Sequence, residues 1–206
     1  MSNPEFAAAL IAGGKSRRMG RDKATLTHCG WRFWEVQVET LRELSHHHSP
    51  RYVVAPEKPD WIPSDFRWIP DHPEFPDCGP LAGFAALGLN IRASTCLVLG
   101  IDQPAVSPEI LRKLLRSGRQ GCGWIPETGG RLHPFAALYP SVMLVRALDH
   151  LRNNQYRVIE WVEAGLKAGD LLKIEVESRW QNEFLNLNTP EDYQKFKESH
   201  EPPFSK

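Results

Sequence analysis

Paired glycines closing a short apolar strand, followed at once by a run of cations, are suited to holding phosphate. Residues 6–11 are apolar, Gly13 and Gly14 come next, and Lys15, Arg17, Arg18, Arg21 and Lys23 follow within ten residues. Glycines at a strand end let backbone N–H groups approach a ligand above the sheet edge, and they permit the φ > 0 conformations of a tight turn. Guanidinium and ammonium groups pair with phosphate oxygens. Together these features read as a polyphosphate cradle, for which a nucleoside triphosphate is the fitting ligand. Two other readings compete. Ala9-Leu-Ile-Ala-Gly-Gly-Lys-Ser16 fits a relaxed Walker A pattern with alanine in the first glycine position. A true P-loop starts a helix at its Lys-Ser pair, whereas here Arg-Arg-Met-Gly-Arg-Asp follows, then an unpatterned 25–30, and helical spacing begins only near Trp31. The glycines could also be a plain connecting turn.

Asp102 is the second anchor. It follows the continuous apolar run 95–101 and precedes Gln103-Pro104, which puts a carboxylate at the carboxyl end of a buried strand, where open α/β sheets hold their ligands. Mg²⁺ takes oxygen ligands and binds through one or two carboxylates plus substrate phosphates, so Asp102 is the candidate metal ligand. The bland alternative is a strand-end turn that happens to carry an aspartate. Gly79-Pro-Leu-Ala-Gly83 opens a helix with small residues, which lets a nucleotide approach the backbone at the anion-favouring helix N-terminus; the bland reading is close helix–sheet packing. Asn186 and Asn188 lie two apart, so on a strand both amides would face one side. Thr189-Pro-Glu-Asp192 then reads as a helix cap.

The elements needed to position these groups alternate between strand and helix, favouring an α/β domain with helices on both faces of a mostly parallel sheet. Strands are predicted at 6–11, 51–55, 66–69 and 95–99, and helices at 31–44, 81–91, from Ser107-Pro108 onward, 141–151 and 158–166. Residues 123–126 and 133–139 read as strands, with a hairpin across Gly129-Gly130 as one option. Late strands are predicted at 171–176 and 183–187, then a final helix with Tyr193 and Phe196 facing inward. Eight of the 17 prolines fall between Pro50 and Pro80, interleaved with Trp61, Phe66, Trp68 and Phe75. That aromatic content indicates an ordered, proline-stiffened excursion rather than a linker.

A chain of 206 residues suits one domain. With 25 basic and 25 acidic residues the net charge is zero, which gives no support to a general nucleic-acid or membrane-surface role. Cys29, Cys78, Cys96 and Cys122 are widely spaced, with no Cys-x-x-Cys pair, arguing against a zinc ribbon and for reduced thiols in a cytoplasmic protein. No signal-peptide pattern or apolar run near 18 residues is present. The run His46-His-His48 follows a helix and reads as solvated loop.

Taken together, Ala12-Gly-Gly-Lys-Ser-Arg-Arg-Met-Gly-Arg-Asp-Lys23, Gly79-Pro-Leu-Ala-Gly83, Asp102-Gln-Pro104 and Asn186-Leu-Asn-Thr-Pro-Glu-Asp192 resemble, in order, the motifs of the molybdenum cofactor guanylyltransferases. These are nucleotidyltransferases with a Rossmann-like, glycosyltransferase-A type α/β/α fold. The resemblance spans nearly the whole chain and implies a nucleotide-binding half over about 1–105 and an acceptor-binding half over about 106–200. It implies Mg²⁺-dependent transfer of GMP from GTP to the phosphate of molybdopterin. Lys23, Arg17, Arg18 and Asp102 would be catalytic, with Mg²⁺ on Asp102. Ile11, Ala12, Gly13, Gly14, Lys23, Asp71, Gly79, Leu81, Gly83, Asn186 and Asn188 would contact nucleotide or cofactor, with Asp77 as a substitute for Asp71. His133-Pro134 and Arg157 match positions near the pterin. GTP or another nucleoside triphosphate and molybdopterin are the implied partners, with molybdoenzymes or other cofactor-biosynthesis proteins beyond them.

One departure stands out. The family's second strand usually ends in an asparagine that helps recognise guanine, and the corresponding Tyr52-Val-Val-Ala-Pro-Glu57 has none. This leaves open a CTP-using or sugar-phosphate nucleotidyltransferase and, in another class, a non-catalytic nucleotide- or cofactor-binding protein.

Overall fold

The computed structural model describes residues 6–13, 23–117, 121–199 and Phe204. Its centre is β1 (Ala7–Ile11), every residue of which is buried. Alternate side chains of a strand face opposite ways, and here both faces are covered. Ala7, Ala9 and Ile11 enter one apolar cluster, while Ala8 and Leu10, with Phe6 just before the strand, enter the other. Parallel neighbours flank it: β4 (Arg51–Val54) on one side, with β5 (Arg67–Ile69) beyond, and β6 (Thr95–Gly100) on the other. Past β6 the sheet becomes mixed. β9 (Ala136–Pro140) runs antiparallel between β6 and β7 (Gly123–Thr128), and β10 (Leu171–Glu175) pairs parallel with β7 at the edge. The short β8 (Arg131–Leu132) returns on β7 across Gly129-Gly130, the predicted hairpin. Residues 133–139 are therefore not one strand.

One face is covered by α2 (Pro80–Asn90), α4 (Ser141–Arg152) and α5 (Val158–Ala168), the other by α1 (Phe33–Leu44), α3 (Pro108–Ser117) and α6 (Pro190–Ser199). This is the three-layer α/β/α arrangement expected of a Rossmann-like nucleotidyltransferase, around a parallel core. The layers pack closely where the sequence is small. A Cβ on Gly88 of α2 would lie 2.6 Å from the Leu144 and Val145 backbone of α4. Helix α6 is fixed by a reciprocal cap: Thr189 Oγ1 accepts the Asp192 N–H (3.1 Å), and Asp192 Oδ2 accepts the N–H groups of Asn188 (3.0 Å) and Thr189 (2.9 Å). Such a cap contributes about 1 kcal/mol. Among the described residues no helix is long and apolar enough to cross a membrane.

Two further predicted elements differ. Trp31 does not begin a helix: β2 (Thr27–His28) and β3 (Trp31–Arg32) form a two-stranded ribbon, closed by Cys29 and Gly30 with φ of 48° and 81°. Two successive positive φ values are those of a hairpin turn whose twist matches its strands. Helix α1 starts two residues later, where Glu35 Oε2 accepts the Arg32 N–H at 2.7 Å. Nor do residues 183–187 join a sheet. Ser178–Phe184 is a 3-10 helix, and the extended segment after it sends the Leu187 N–H to the Asp102 carbonyl (2.8 Å) instead of to a strand.

Candidate active site

The carboxyl ends of β1, β4 and β6 open on one edge of the sheet, and the site residues gather there. A cavity of about 1040 Å³ is lined by Ile11, Ala12 and Gly13 from the end of β1, by Val54, Ala55 and the 56–61 loop after β4, and by Asp71, Gly79 and Gly83. Asp77 and Pro80 complete that wall, and Ala24, Thr25 and Arg32 lie opposite. The loop is held by Trp61, which stacks on Trp34 of α1 with ring centroids 5.2 Å apart and 13° between planes.

Local chemistry explains the small residues. Gly13 has no positive φ, and its partner Gly14 lies outside the described residues. Glycine eases close packing there, since a Cβ would lie 3.0 Å from Pro56 Cδ, close enough that the proline ring would have to give way. Gly79 does need its conformation: φ of 77° lets the chain enter α2 with Pro80 at the first helical position. A Cβ on Gly83 would press to 3.0 Å on Val54 Cγ1 and reach 3.5 Å from Asp71 Oδ1, so glycine keeps the wall beside Asp71 low. The Leu81 side chain is fully buried in the core under α2, leaving its backbone as the part that could face a ligand. Burial, reinforced by Asp77, pushes the Asp71 carboxyl above its usual range.

Next to the cavity lies a polar cluster. Lys23 is in a 3-10 turn (Lys23–Thr25), and its Nζ donates to Asn188 Oδ1 at 2.7 Å and stands 3.8 Å from Asp102 Oδ2. Residues 102 and 188, on separate connections, thus meet at one ammonium group. Burial pushes the Asp102 carboxyl up, and the nearby Lys23 charge only partly opposes it. The turn carrying Asp102 is tightly built: a Cβ on Gly100 would lie 2.8 Å from both Asp102 Oδ1 and Phe135 Cβ. Asn186 Oδ1 is buried with no hydrogen-bond partner among the described residues.

Most of the predicted residues therefore converge. Ile11, Ala12, Gly13, Asp71, Gly79 and Gly83 line the cavity, and Lys23, Asp102 and Asn188 form the cluster. Gly14, Arg17 and Arg18, with Lys15, Ser16 and Arg21, lie outside the described residues. His133 is not placed to meet an anion: it is 3% exposed, bonded to Thr128 Oγ1 (2.7 Å) and packed on Phe184. Burial lowers its pKa to about 4, so it is neutral at pH 7. Arg157 is exposed and paired with Glu160 ahead of α5. His46, His47 and His48 are exposed in a turn, as predicted.

Two contributors escaped the sequence reading, Gly100 and Gln37. Gly100 ends the apolar run of β6, a recognisable place for close approach. Gln37 sits on the buried stripe Phe33, Val36, Gln37, Thr40, Leu41 and Leu44 of α1, where its polarity is the anomaly that could have revealed it.

The donor set suits a hard cation. Asp102, just after β6, and Asn188, in the extended segment before α6, offer oxygen atoms, and among the described residues no three His, Cys, Asp or Glu side chains gather to hold a metal unaided. A Mg²⁺ ion at Asp102 would complete its shell with phosphate oxygens and water.

The chain is similar to known proteins over nearly its whole length. A probable molybdenum cofactor guanylyltransferase of Opitutus terrae is 33% identical over 200 residues, covering 95% of this chain and 96% of that one. A molybdenum cofactor guanylyltransferase of Campylobacter jejuni is 28% identical over 194 residues, covering 94% and 96%. The crystal structure of molybdopterin-guanine dinucleotide biosynthesis protein A from Archaeoglobus fulgidus superposes with a TM-score of 0.73 at 23% identity, covering 94% of this chain and 97% of that one. The family model of the MobA-like NTP transferase domain matches residues 8–167, from the first residues of β1 to the end of α5, and the chain belongs to that family.

Proposed function

We propose that this nucleotidyltransferase moves GMP from GTP to the terminal phosphate of molybdopterin, releasing pyrophosphate and forming the guanine dinucleotide cofactor. The observation that carries the reading is the meeting of the strand-end cavity with the Lys23–Asp102–Asn188 cluster on one sheet edge. GTP lies in the cavity, its sugar beside Asp71 and its phosphates passing the end of β1. A phosphate oxygen of the acceptor attacks the α-phosphorus, a new P–O bond forms, and the bond to the β-phosphate breaks with its electrons on pyrophosphate.

No side-chain nucleophile is needed, so the protein works by positioning and electrostatics. Lys23 has three donors; one is held by Asn188, and the others can meet phosphate oxygens. Arg17 and Arg18 would add cations as pyrophosphate departs. Asp102 would hold Mg²⁺, which supplies neutralisation of charge on the transferring phosphate. Asn186 and Asn188 face the acceptor side, so the nucleotide and acceptor halves, about 1–105 and 106–200, divide at the Asp102 turn. Four free thiols suit a cytoplasmic setting.

Base choice is the point at which a second reading has support. Ala55 stands where the guanine-reading asparagine would be. Its N–H is bound to the Ile69 carbonyl (3.2 Å) and its carbonyl accepts the Trp68 indole N–H (2.9 Å). Guanine would then be read by other groups on the wall, such as the Glu57 and Asp60 carboxylates, which can accept its ring and amino N–H groups. Without such contacts the same chemistry would serve CTP.

The test is pyrophosphate release with Mg²⁺ and molybdopterin, comparing GTP, CTP, ATP and UTP. Selective release with GTP is expected. Selectivity for CTP would keep the transfer and replace the product. No release with any nucleotide, from folded protein and competent acceptor, would overturn the reading.

A further inference from the structure

Two buried amides hold the turn that carries Asp102. Gln37 Nε2 donates to the carbonyls of Gly100 (2.9 Å) and Gln103 (2.8 Å), which lie on either side of Asp102. Gln103 Nε2 donates to the Phe184 carbonyl (3.1 Å), and the Leu187 N–H donates to the Asp102 carbonyl (2.8 Å). The chain of bonds runs from α1 to the 100–103 turn, then to the 184–188 segment, and reaches Lys23 through Asn188. Both partners of the Gln37 amide are carbonyls, so only its NH₂ end can face them.

The arrangement carries a cost. Gln37 and Gln103 are 1% and 2% exposed, and the carbonyl oxygen of each amide has no partner among the described residues. An unpaired buried polar atom costs about 1–3 kcal/mol. Position 37 lies on an otherwise largely apolar stripe, where methionine or leucine would fill similar space without an orphan atom. Glutamine accepts that orphan atom in exchange for two donors, and both of them go to the turn that carries Asp102.

We propose that Gln37 and Gln103 are positioning residues for the transfer reaction: a two-amide brace that sets the Asp102 turn against the segment carrying Asn186 and Asn188. The proposal rests on the function proposed above. The brace touches neither substrate directly. It fixes where the metal-binding carboxylate stands relative to Lys23 and Asn188, and so acts on the transfer step more than on nucleotide binding.

The test is Gln37→Met, with Gly88→Ala on the opposite helix layer as a destabilised control. Amide exchange needs no substrate. It is expected to quicken at Leu187 and Gln103 and to stay unchanged in β4. In turnover, kcat is expected to fall about ten- to hundred-fold, as for a small misplacement of reacting groups, with KM for GTP within about two-fold of the unaltered protein. Unchanged exchange at Leu187, an unchanged kcat, or a fall matched by Gly88→Ala would each overturn the proposal. Gln103→Met, which removes the tie to Phe184 but keeps both Gln37 bonds, is expected to give a smaller loss of the same kind and serves if Gln37→Met fails to fold. Absence of transfer in the unaltered protein would overturn the function itself, while Leu187 exchange separately decides whether the brace holds the two segments together.

Discussion

The two faces of the sheet are packed by different rules. Under α2, α4 and α5 the core is apolar and tightly fitted: Phe84, Tyr139 and Trp161 pack ring to ring, and Gly88 brings α2 against the α4 backbone. Tyr139 is the one phenol in that ring cluster, and its hydroxyl finds the Pro134 carbonyl at 2.8 Å. Under α1, α3 and α6 the core holds polar atoms without partners among the described residues: Trp34 Nε1, Gln37 Oε1, Thr40 Oγ1, Gln103 Oε1, Trp124 Nε1 and Trp180 Nε1. His150 Nδ1, on α4, is the counterpart on the other layer. Buried polar atoms are ordinarily paired, so this concentration marks the face where packing has yielded to another demand. That face carries the Asp102 turn and the segment leading to Asn188. The α2 layer walls the cavity from a tightly fitted core, while the other layer holds the Asp102 turn at some expense of stability.

The sharpest way to break this comparison is Asp102→Asn, which keeps shape and removes the charge. Turnover is expected to fall about a hundred- to thousand-fold, the scale seen when one electrostatic contact to a transition state is lost. Stability should move the other way. The Asp102 carboxyl is raised in the folded state, so its stabilising contribution is complete below the unfolded value and is lost as pH rises through the folded one. Burial disfavours the ionised carboxylate, so Asp102→Asn is expected to raise Tm at neutral pH, with the gain shrinking toward acid pH. Urea unfolding of both proteins at neutral and acid pH checks the sign. A lower Tm at neutral pH would show that its pairing with Lys23 outweighs burial.

Gly88→Ala probes the other layer. The added Cβ would meet the Leu144 and Val145 backbone at 2.6 Å, and backbone cannot move aside as a flexible side chain can. Separating α2 from α4 is expected to cost about 1–3 kcal/mol, typical of overpacking. Denaturant unfolding measures it, and the turnover of the remaining folded protein should change little. A loss of turnover out of proportion to the folded fraction would show that the α2–α4 contact also sets the cavity wall.

What could be read from the sequence divides along similar lines. The strands β1 and β6, the start of α2 at Gly79-Pro80 and the Thr189 cap carry local signals, and each lies where it was expected. The 27–32 ribbon was hidden because its turn places Cys29, instead of the usual asparagine or aspartate, at the first positive-φ position. Residues 183–187 suggested a strand, yet their buried residues Phe184 and Leu187 are three apart, not two, and the Leu187 N–H goes to Asp102. The cavity residues were recognisable because glycine and proline report on backbone geometry nearby. Gln37 was not, since its partners lie 63 and 66 residues away and only a tertiary contact explains a polar side chain on that stripe.

Thr40 sharpens the contrast, with the smallest effect and the opposite sign. It lies on the same stripe of α1, is fully buried, and its hydroxyl has no partner among the described residues. Unlike Gln37 it holds nothing near Asp102, so its unmet polarity brings no evident return. Thr40→Val keeps the branched shape at Cβ and replaces the hydroxyl with a methyl group. Relief of an unpaired buried hydroxyl is expected to stabilise the fold by about 1 kcal/mol, with kcat and KM unchanged. Paired unfolding and turnover measurements against Gln37→Met then separate two kinds of buried polarity on one helix, one that the reaction needs and one that it does not. Destabilisation on removing the Thr40 hydroxyl would show that the atom is satisfied after all, and would leave Gln37 and Gln103 as the polar groups on that stripe and turn whose cost still calls for a functional reason.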